Sequence, residues 1–315
     1  MQKVLVTGAT GFIGKAVCRR LLGESIQVRA FVRGRSSELP VGVQAYSLGS
    51  IAQEADWAEV LDGVDVVVHL AARVHVMDEK STDPISAFRL VNVEGTKQLA
   101  RIAVEKGVKR IVFVSSIKAV GEETDVPYSE ESIPQPIDPY GISKLEAEEA
   151  LQGIARYTGL EVVILRPPLV YGPNVKANFF YLMKLVDRGV PLPFLNIKNR
   201  RSLIYLGNLV DAIVAVLNNP KASGQVYFVS DGRDVSTPEL VQNVANAFEK
   251  TAHLIPFPIV MIRLFGRIFK KESSVERLLG SLVVANRKIQ SELGWKAPYS
   301  MQEGLRDTVQ WYRNR

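Results

Sequence analysis

From residue 3 onward, short runs of β-branched and aliphatic residues alternate with helix-length amphipathic segments. Runs at Val4–Thr7, Gln27–Val32, Val43–Tyr46, Val66–Leu70, Arg110–Val114, Glu161–Leu165 and, later, Val226–Val229 are predicted as strands. Strands separated by helical stretches read as βαβ units that build a parallel sheet. Asp83-Pro84 supplies a capping carboxylate and a first-turn proline, so a helix is expected to open there and to end near Gly107, where a left-handed cap fits. Asp138-Pro139 opens a second helix in the same way, closing near Gly159. After Tyr171-Gly172-Pro173 the regular alternation stops, and Pro191, Pro193, Pro220 and Pro238 punctuate irregular pieces. The expected architecture is α/β: a doubly wound parallel sheet over residues 1–173, completed by about 202–230, with a smaller C-terminal α/β lobe from 174–201 and 231–315.

The segment Val4-Leu-Val-Thr-Gly-Ala-Thr-Gly-Phe-Ile-Gly14 reads as a buried strand, a tight turn and a helix start. Glycines at 8, 11 and 14 let backbone N–H groups approach a pyrophosphate at the positive end of a helix, and let that helix pack closely on the strand. A Rossmann-type dinucleotide site is therefore expected, with Gly8, Thr10, Gly11, Phe12, Ile13 and Gly14 as contacts. An acid after the second strand bonds ribose hydroxyls, whereas a cation accommodates a 2′-phosphate. Phe31-Val-Arg-Gly-Arg-Ser36 has no acid there. Arg33, backed by Arg35 and Ser36, favours NADP(H), while NAD(H) stays open with Arg33 stacked on its adenine.

Tyr140 and Lys144 stand four apart on the Asp138-Pro139 helix, hence on one face. An ammonium near a phenol is expected to favour the phenolate, pulling the tyrosine pKa down from about 10 and making a usable acid or base. The strand ending at Val114 runs into Ser115-Ser116, at the carboxyl edge of the sheet where ligands bind. Ser116 is placed to bond the reacting oxygen beside Tyr140.

Composition changes this picture little. The chain is 47% hydrophobic and 23% charged, enough apolar material for a large core. Cys18 is the single cysteine and only His69, His75 and His253 accompany it, so neither an internal disulfide nor a metal site is expected. The glycine-broken N-terminus is unlike a signal peptide, and a cytoplasmic protein is expected. The net charge of +6 comes from scattered basic residues without a long run, which argues against nucleic acid and for an anionic small molecule. The segment His253–Lys271 is apolar but broken by Pro256, Pro258, Arg263 and Arg267. It is too interrupted to span a bilayer, and is read as an apolar wall of the second lobe, with a bilayer-surface position as the alternative.

Several ordered motifs together resemble the extended short-chain dehydrogenase/reductases, the NAD-dependent epimerase/dehydratase family. They are Thr7-Gly-Ala-Thr-Gly-Phe-Ile-Gly14, His69-Leu-Ala-Ala72, Asn92-Val-Glu-Gly-Thr96, Val114-Ser-Ser116, Tyr140-Gly-Ile-Ser-Lys144 and Leu165-Arg-Pro-Pro-Leu-Val-Tyr-Gly-Pro173. The resemblance covers nearly the whole chain. It implies that Leu70, Ala71 and Ala72 line the cofactor cleft with Val114 and Ser115, that Asn92 braces the interior near the active site, and that Pro167 to Val170 flank the nicotinamide. It also implies that Ser116, Tyr140 and Lys144 are catalytic, that Tyr140 and Lys144 touch the cofactor, and that Asn178, Arg201 and Arg277 face a nucleotide diphosphate. A guanidinium suits that task because it meets phosphate oxygens bidentately. Asp231-Gly232 and Leu293-Gly-Trp295 resemble structural segments of the family. Two departures stand out: Gly49-Ser50 replaces a common Gly-Asp, and Val120 replaces a tyrosine before Gly121.

Such a family implies a nucleotide-activated sugar, here a UDP-sugar, as substrate. Dehydratases of the family follow the hydroxyl residue with Asp-Glu, whereas this chain has Ile117-Lys118, so dehydration is disfavoured. The first expectation is NADPH-dependent reduction of the C4 ketone of a UDP-4-keto-6-deoxy-N-acetylhexosamine, giving UDP-N-acetylquinovosamine or UDP-N-acetylfucosamine for surface polysaccharide. The alternative is a UDP-sugar 4-epimerase with tightly bound NAD. A non-catalytic dinucleotide-binding regulator is a third reading, disfavoured because Tyr140 and Lys144 are both present. The long Asp83 and Asp138 helices make a homodimer possible.

Overall fold

The computed structural model describes residues 1–32, 39–47, 57–74, 83–269 and 272–315. Seven parallel strands form one sheet: β1 (Lys3–Thr7), β2 (Gln27–Val32), β3 (Gln44–Ser47), β4 (Val66–His69), β5 (Arg110–Val114), β6 (Glu161–Arg166) and β9 (Val226–Phe228), in spatial order β3-β2-β1-β4-β5-β6-β9. All seven lie within a residue or so of the predicted runs. The strand order reverses at β1, between β2 and β4, which is where a doubly wound sheet opens a crevice at its carboxyl edge. Register brings the ends together there: Thr7 lies opposite His69, His69 opposite Phe113, and Val114 opposite Leu165.

Two apolar layers cover the sheet. Helix α1 (Phe12–Gly23) and helix α7 (Leu206–Leu217) close one face over Val4, Val6, Val68, Val112 and Leu165. The other face is closed by the short α2 (Trp57–Val60) with α4 (Gly95–Glu105) and α5 (Pro139–Thr158), over Leu5, Val67, Ile111, Phe113 and Ile164. Both Asp-Pro starts form as expected: Asp83 accepts from Ser86 N–H and Asp138 from Gly141 N–H, and Gly107 and Gly159 end their helices at φ +73°. The first of these helices is not α-helical throughout, however. It runs as α3 (Pro84–Arg89), a π-helical turn over Leu90–Glu94, and then α4, and the extra residue per turn falls around Asn92.

Beyond Tyr171 the chain is mostly helical: α6 (Ala177–Asp187), α8 (Thr237–Ala247), α9 (Ile259–Ile268), α10 (Glu272–Leu279), α11 (Arg287–Leu293) and α12 (Met301–Arg313). Besides β9, which joins the main sheet, this part holds a parallel pair, β7 (Leu169–Tyr171) with β8 (Leu203–Tyr205), which the apolar runs do not predict. A third apolar cluster, including Tyr171, Phe179, Met183, Val244, Phe248 and Leu305, forms around them. The expectation that 253–271 walls the second lobe needs correcting. In α9 Ile262 and Gly266 are buried and Ile259 is half-buried, while Val260, Met261, Leu264, Phe265 and Ile268 are exposed. Among the described residues no helix is long and apolar enough to cross a membrane.

Candidate active site

At the β1–α1 turn Gly8 takes φ +68°, and a β-carbon there would meet Ala71 N at 2.8 Å. Gly11 N–H closes the turn on Gly8 O at 2.9 Å. A β-carbon on Gly14 would clash with Gly8 O, so glycine lets α1 lie directly against the turn. Gly11 caps α1 without a side-chain bond, which leaves the first-turn N–H groups for an anion. Thr10 and Gly11 are exposed at the mouth, with Phe12 and Ile13 half-buried behind them. Leu70, Ala71 and Ala72 follow β4 across the crevice, and all three are half-buried. At the end of β5 the Ser115 hydroxyl is buried and finds no hydrogen-bond partner among the described residues. An anion cradle at the glycine turn and an unspent hydroxyl along the same sheet edge together fit a dinucleotide. Arg33, Arg35, Ser36, Gly49 and Ser50 lie outside the described residues.

The candidate chemical centre lies where β5 and α5 meet. Ser115 N–H bonds Leu165 O and Ile117 N–H bonds Pro167 O, which fixes the loop carrying Ser116. Val170 is half-buried in β7, just after Pro167. Ser116 Oγ accepts from Lys118 N at 3.2 Å and acts to lower the pKa of the Tyr140 phenol. Lys144 is buried. It donates to Val114 O at 2.8 Å, and its Nζ lies 3.9 Å from the centre of the Phe113 ring. A buried ammonium is costly unless paired, and a carbonyl with a ring face compensates only in part. Burial therefore pulls Lys144 down to about 7, against the opposing field of Glu148.

The phenol moves opposite to expectation. Burial and the Asp138 carboxylate push Tyr140 up to about 12, and the Ser116 hydrogen bond offsets only part of this. The physical reason is that Lys144 bonds a backbone carbonyl rather than the phenol, so desolvation outweighs its field. In this arrangement Tyr140 holds its proton at neutral pH and is set to donate. Asp138 caps α5 and is ion-paired to Lys118, which also bonds Glu122 at 3.0 Å. Burial raises the Asp138 carboxyl, but Lys118 and Gly141 N–H outweigh it and hold the group below its usual range. The side chain two residues beyond Ser116 is thus a cation spent on holding the start of α5, not an acid.

Behind the site runs a buried polar chain that sequence reasoning missed. Thr7 Oγ1 accepts from Leu70 N and Ala71 N, both at 3.1 Å, and donates to His69 Nδ1 at 2.7 Å. His69 Nε2 bonds Thr96 Oγ1 at 2.9 Å, and Thr96 donates onward to Asn92 O. These directions require the Nε2–H tautomer. Asn92 bonds both N–H and C=O of Arg73 and donates to Ser143 Oγ at 2.9 Å, and Ser143 donates to Tyr140 O. Burial, with a smaller contribution from Lys144, pulls His69 down to about 3, so the imidazole is neutral. The signal in the sequence was a threonine and a histidine ending otherwise apolar strand runs. The Asn92 side chain joins Arg73, in the segment after β4, to Ser143 of α5.

Outside the seven-stranded sheet the structure brings Arg201 and Arg277 together. Arg201 donates to Arg277 O at 2.5 Å and to Gly280 O at 3.1 Å. Burial and the Arg277 charge lower its pKa, and Glu123 opposes them. Asn178 stands exposed in the first turn of α6. Asp231 is structural: it accepts from Tyr205 N, Asn208 Nδ2 and Tyr171 Oη at 2.7–2.8 Å. Among the described residues no group of three or more His, Cys, Asp or Glu side chains is arranged to hold a metal.

A doubly wound sheet with a glycine turn and a Ser-Tyr-Lys constellation at its carboxyl edge defines a nicotinamide-dependent oxidoreductase class. Residues 4–230 match the family described as NAD dependent epimerase/dehydratase. The chain belongs to this family and is an enzyme of the extended short-chain dehydrogenase/reductase class. It is 45% identical to a UDP-glucose 4-epimerase of Vibrio cholerae over 98% of this chain and 95% of that protein. Its fold matches a UDP-glucose 4-epimerase of Thermotoga maritima solved with UDP-glucose, at TM-score 0.80 and 26% identity over 99% of each chain. The same TM-score, identity and coverage relate it to MoeE5 in complex with UDP-glucuronic acid and NAD.

Proposed function

We propose that this enzyme interconverts a UDP-hexose and its C4 epimer and holds NAD on the Gly8–Gly14 turn. The observation that carries this reading is the 45% identity to a UDP-glucose 4-epimerase along nearly the whole of both chains. The comparisons favour this alternative over C4 ketone reduction, for which none of the relatives named above speaks. Arg33, the residue that favoured NADP(H), lies outside the described residues, whereas a matching structure holds NAD.

NAD, when bound, supplies a reversible hydride acceptor at C4. Tyr140 takes the proton from O4 as that oxygen becomes a carbonyl, and Ser116 donates a hydrogen bond to it. Because burial keeps the phenol protonated, its work as a base depends on a nearby cation, and Lys144 on the same helical face is the residue assigned to supply it. Arg201 and Arg277 retain the diphosphate while the 4-keto sugar turns to present its other face. Tyr140 then returns the proton to O4. The half-buried apolar residues after β4 and the Pro167–Val170 segment keep water from the ketone.

The test is incubation of the purified protein with UDP-glucose and no added dinucleotide. Conversion to an equilibrium mixture with UDP-galactose is expected, with NAD released on denaturation. Stoichiometric oxidation of NADPH by a UDP-4-keto-6-deoxy-N-acetylhexosamine, with no interconversion of hexoses, would contradict it and restore the reductase reading.

A further inference from the structure

Helix α9 presents its apolar side to solvent. Val260 is 75% exposed, Ile268 62% and Phe269, at its C-terminal cap, 68%. Met261, Leu264 and Phe265 are exposed beside them. The patch continues off the helix, since Phe257 and Phe265 lie with ring centres 6.3 Å apart and exposed Ile255 bonds through its backbone to exposed Leu195. Single exposed hydrophobics are ordinary, but a contiguous patch of this extent marks an interaction surface.

The charge around it says what the partner is. Arg263 and Arg267 are exposed along one edge of the apolar stripe, and the described residues 253–269 hold no Asp or Glu. Glu276 of α10 pairs with Arg263 through two bonds at this exposed edge, so Arg267 carries the charge that no carboxylate offsets among the described residues, and Arg263 meets a phosphate by exchanging its partner. A helix with an outward apolar face flanked by cations suits the headgroup boundary of an anionic bilayer, where side chains enter the acyl region and guanidinium groups meet phosphates. A second copy of this chain fits less well, because a twofold axis through α9 brings the same cations face to face.

We infer that α9 and its flanking apolar residues dock this enzyme peripherally on an anionic lipid surface. The inner side of α9 rests closely on α10, where a β-carbon on Gly266 would be 2.8 Å from a Val275 methyl. Helix α10 carries Arg277, whose carbonyl bonds Arg201. Docking through α9 thus sets the bilayer one helix away from the arginine pair. The inference does not depend on which sugar is turned over.

The test is cosedimentation of the full-length protein with vesicles of phosphatidylcholine, with and without phosphatidylglycerol. Binding is expected to be about tenfold stronger on the anionic vesicles and to weaken as salt rises. The double variant Leu264→Glu/Ile268→Glu is expected to lose binding by about tenfold or more, with UDP-sugar turnover and melting temperature unchanged. Should that variant not fold, Val260→Gln alone is expected to weaken vesicle binding in the same direction. Absence of wild-type binding, or equal binding by the folded double variant, overturns the inference. So does self-association of the wild type that the double variant abolishes without any effect of vesicles, an outcome that assigns the face to a second copy.

Discussion

The sheet side and the lobe side of the molecule are built differently. On the sheet side, each candidate chemical group comes from a motif a few residues long: the glycine turn, Ser115-Ser116, and Tyr140 with Lys144 on one helical face. On the lobe side, Arg201 and Arg277 meet through bonds spanning 76 and 79 residues of sequence, to Arg277 O and Gly280 O. The first arrangement positions its candidate groups through backbone geometry and buried polar bonds. The second depends on how distant segments of the lobe come together, and suits the task of choosing and gripping a substrate. Chemistry and selectivity are therefore expected to separate under mutation.

The largest effect is expected on the sheet side. Tyr140→Phe removes the proton that moves at O4, and kcat should fall by about 10² to 10⁴ with KM and melting temperature nearly unchanged. Full turnover by this variant would dissolve the distinction between the two sides.

Next comes the buried chain through His69. Its folded pKa of about 3 lies below the unfolded 6.5, so between those values the unfolded chain binds a proton that the native state refuses. Stability then rises with pH across that window and is lost on acidification, by about 1.4 kcal/mol per pH unit from this group. His69→Gln should flatten the acid limb of the stability curve by that slope, as read from urea midpoints between pH 4 and 6.5. Parallel curves for the two proteins would remove His69 from the account.

On the lobe side, Arg201→Met should raise KM for the UDP-sugar by about ten- to a hundredfold while leaving kcat little changed, as expected for loss of a charge-assisted phosphate bond. An equal loss in kcat would place Arg201 with the reacting groups. The smallest effect is expected farthest from the crevice, at the α12 cap, where Ser300 and Glu303 form a reciprocal capping box. Ser300→Ala should cost about 1 kcal/mol in thermal stability and change neither kinetic constant.

The same division explains what could be read from the sequence. The seven strands and the Asp83 and Asp138 helix starts are each specified by neighbours a few residues away, through apolar runs and capping carboxylates. The glycine turn and the Tyr140–Lys144 spacing are local as well. The β7–β8 pair escaped because two three-residue strands more than thirty residues apart leave no periodic trace. The π-helical turn at Asn92 escaped because its sequence has an ordinary helical character. The sign of the Tyr140 shift was missed because spacing alone does not show that Lys144 bonds Val114 O and that burial dominates the phenol. Alternating polarity likewise cannot say which side of α9 faces the protein.

The most direct measurement of the central claim follows the hydrogen at C4. With UDP-glucose deuterated at that position, the account predicts UDP-galactose that keeps its deuterium, because the hydride leaves and returns within one bound complex. Loss of the label to added dinucleotide, or no galactose at all, would contradict it.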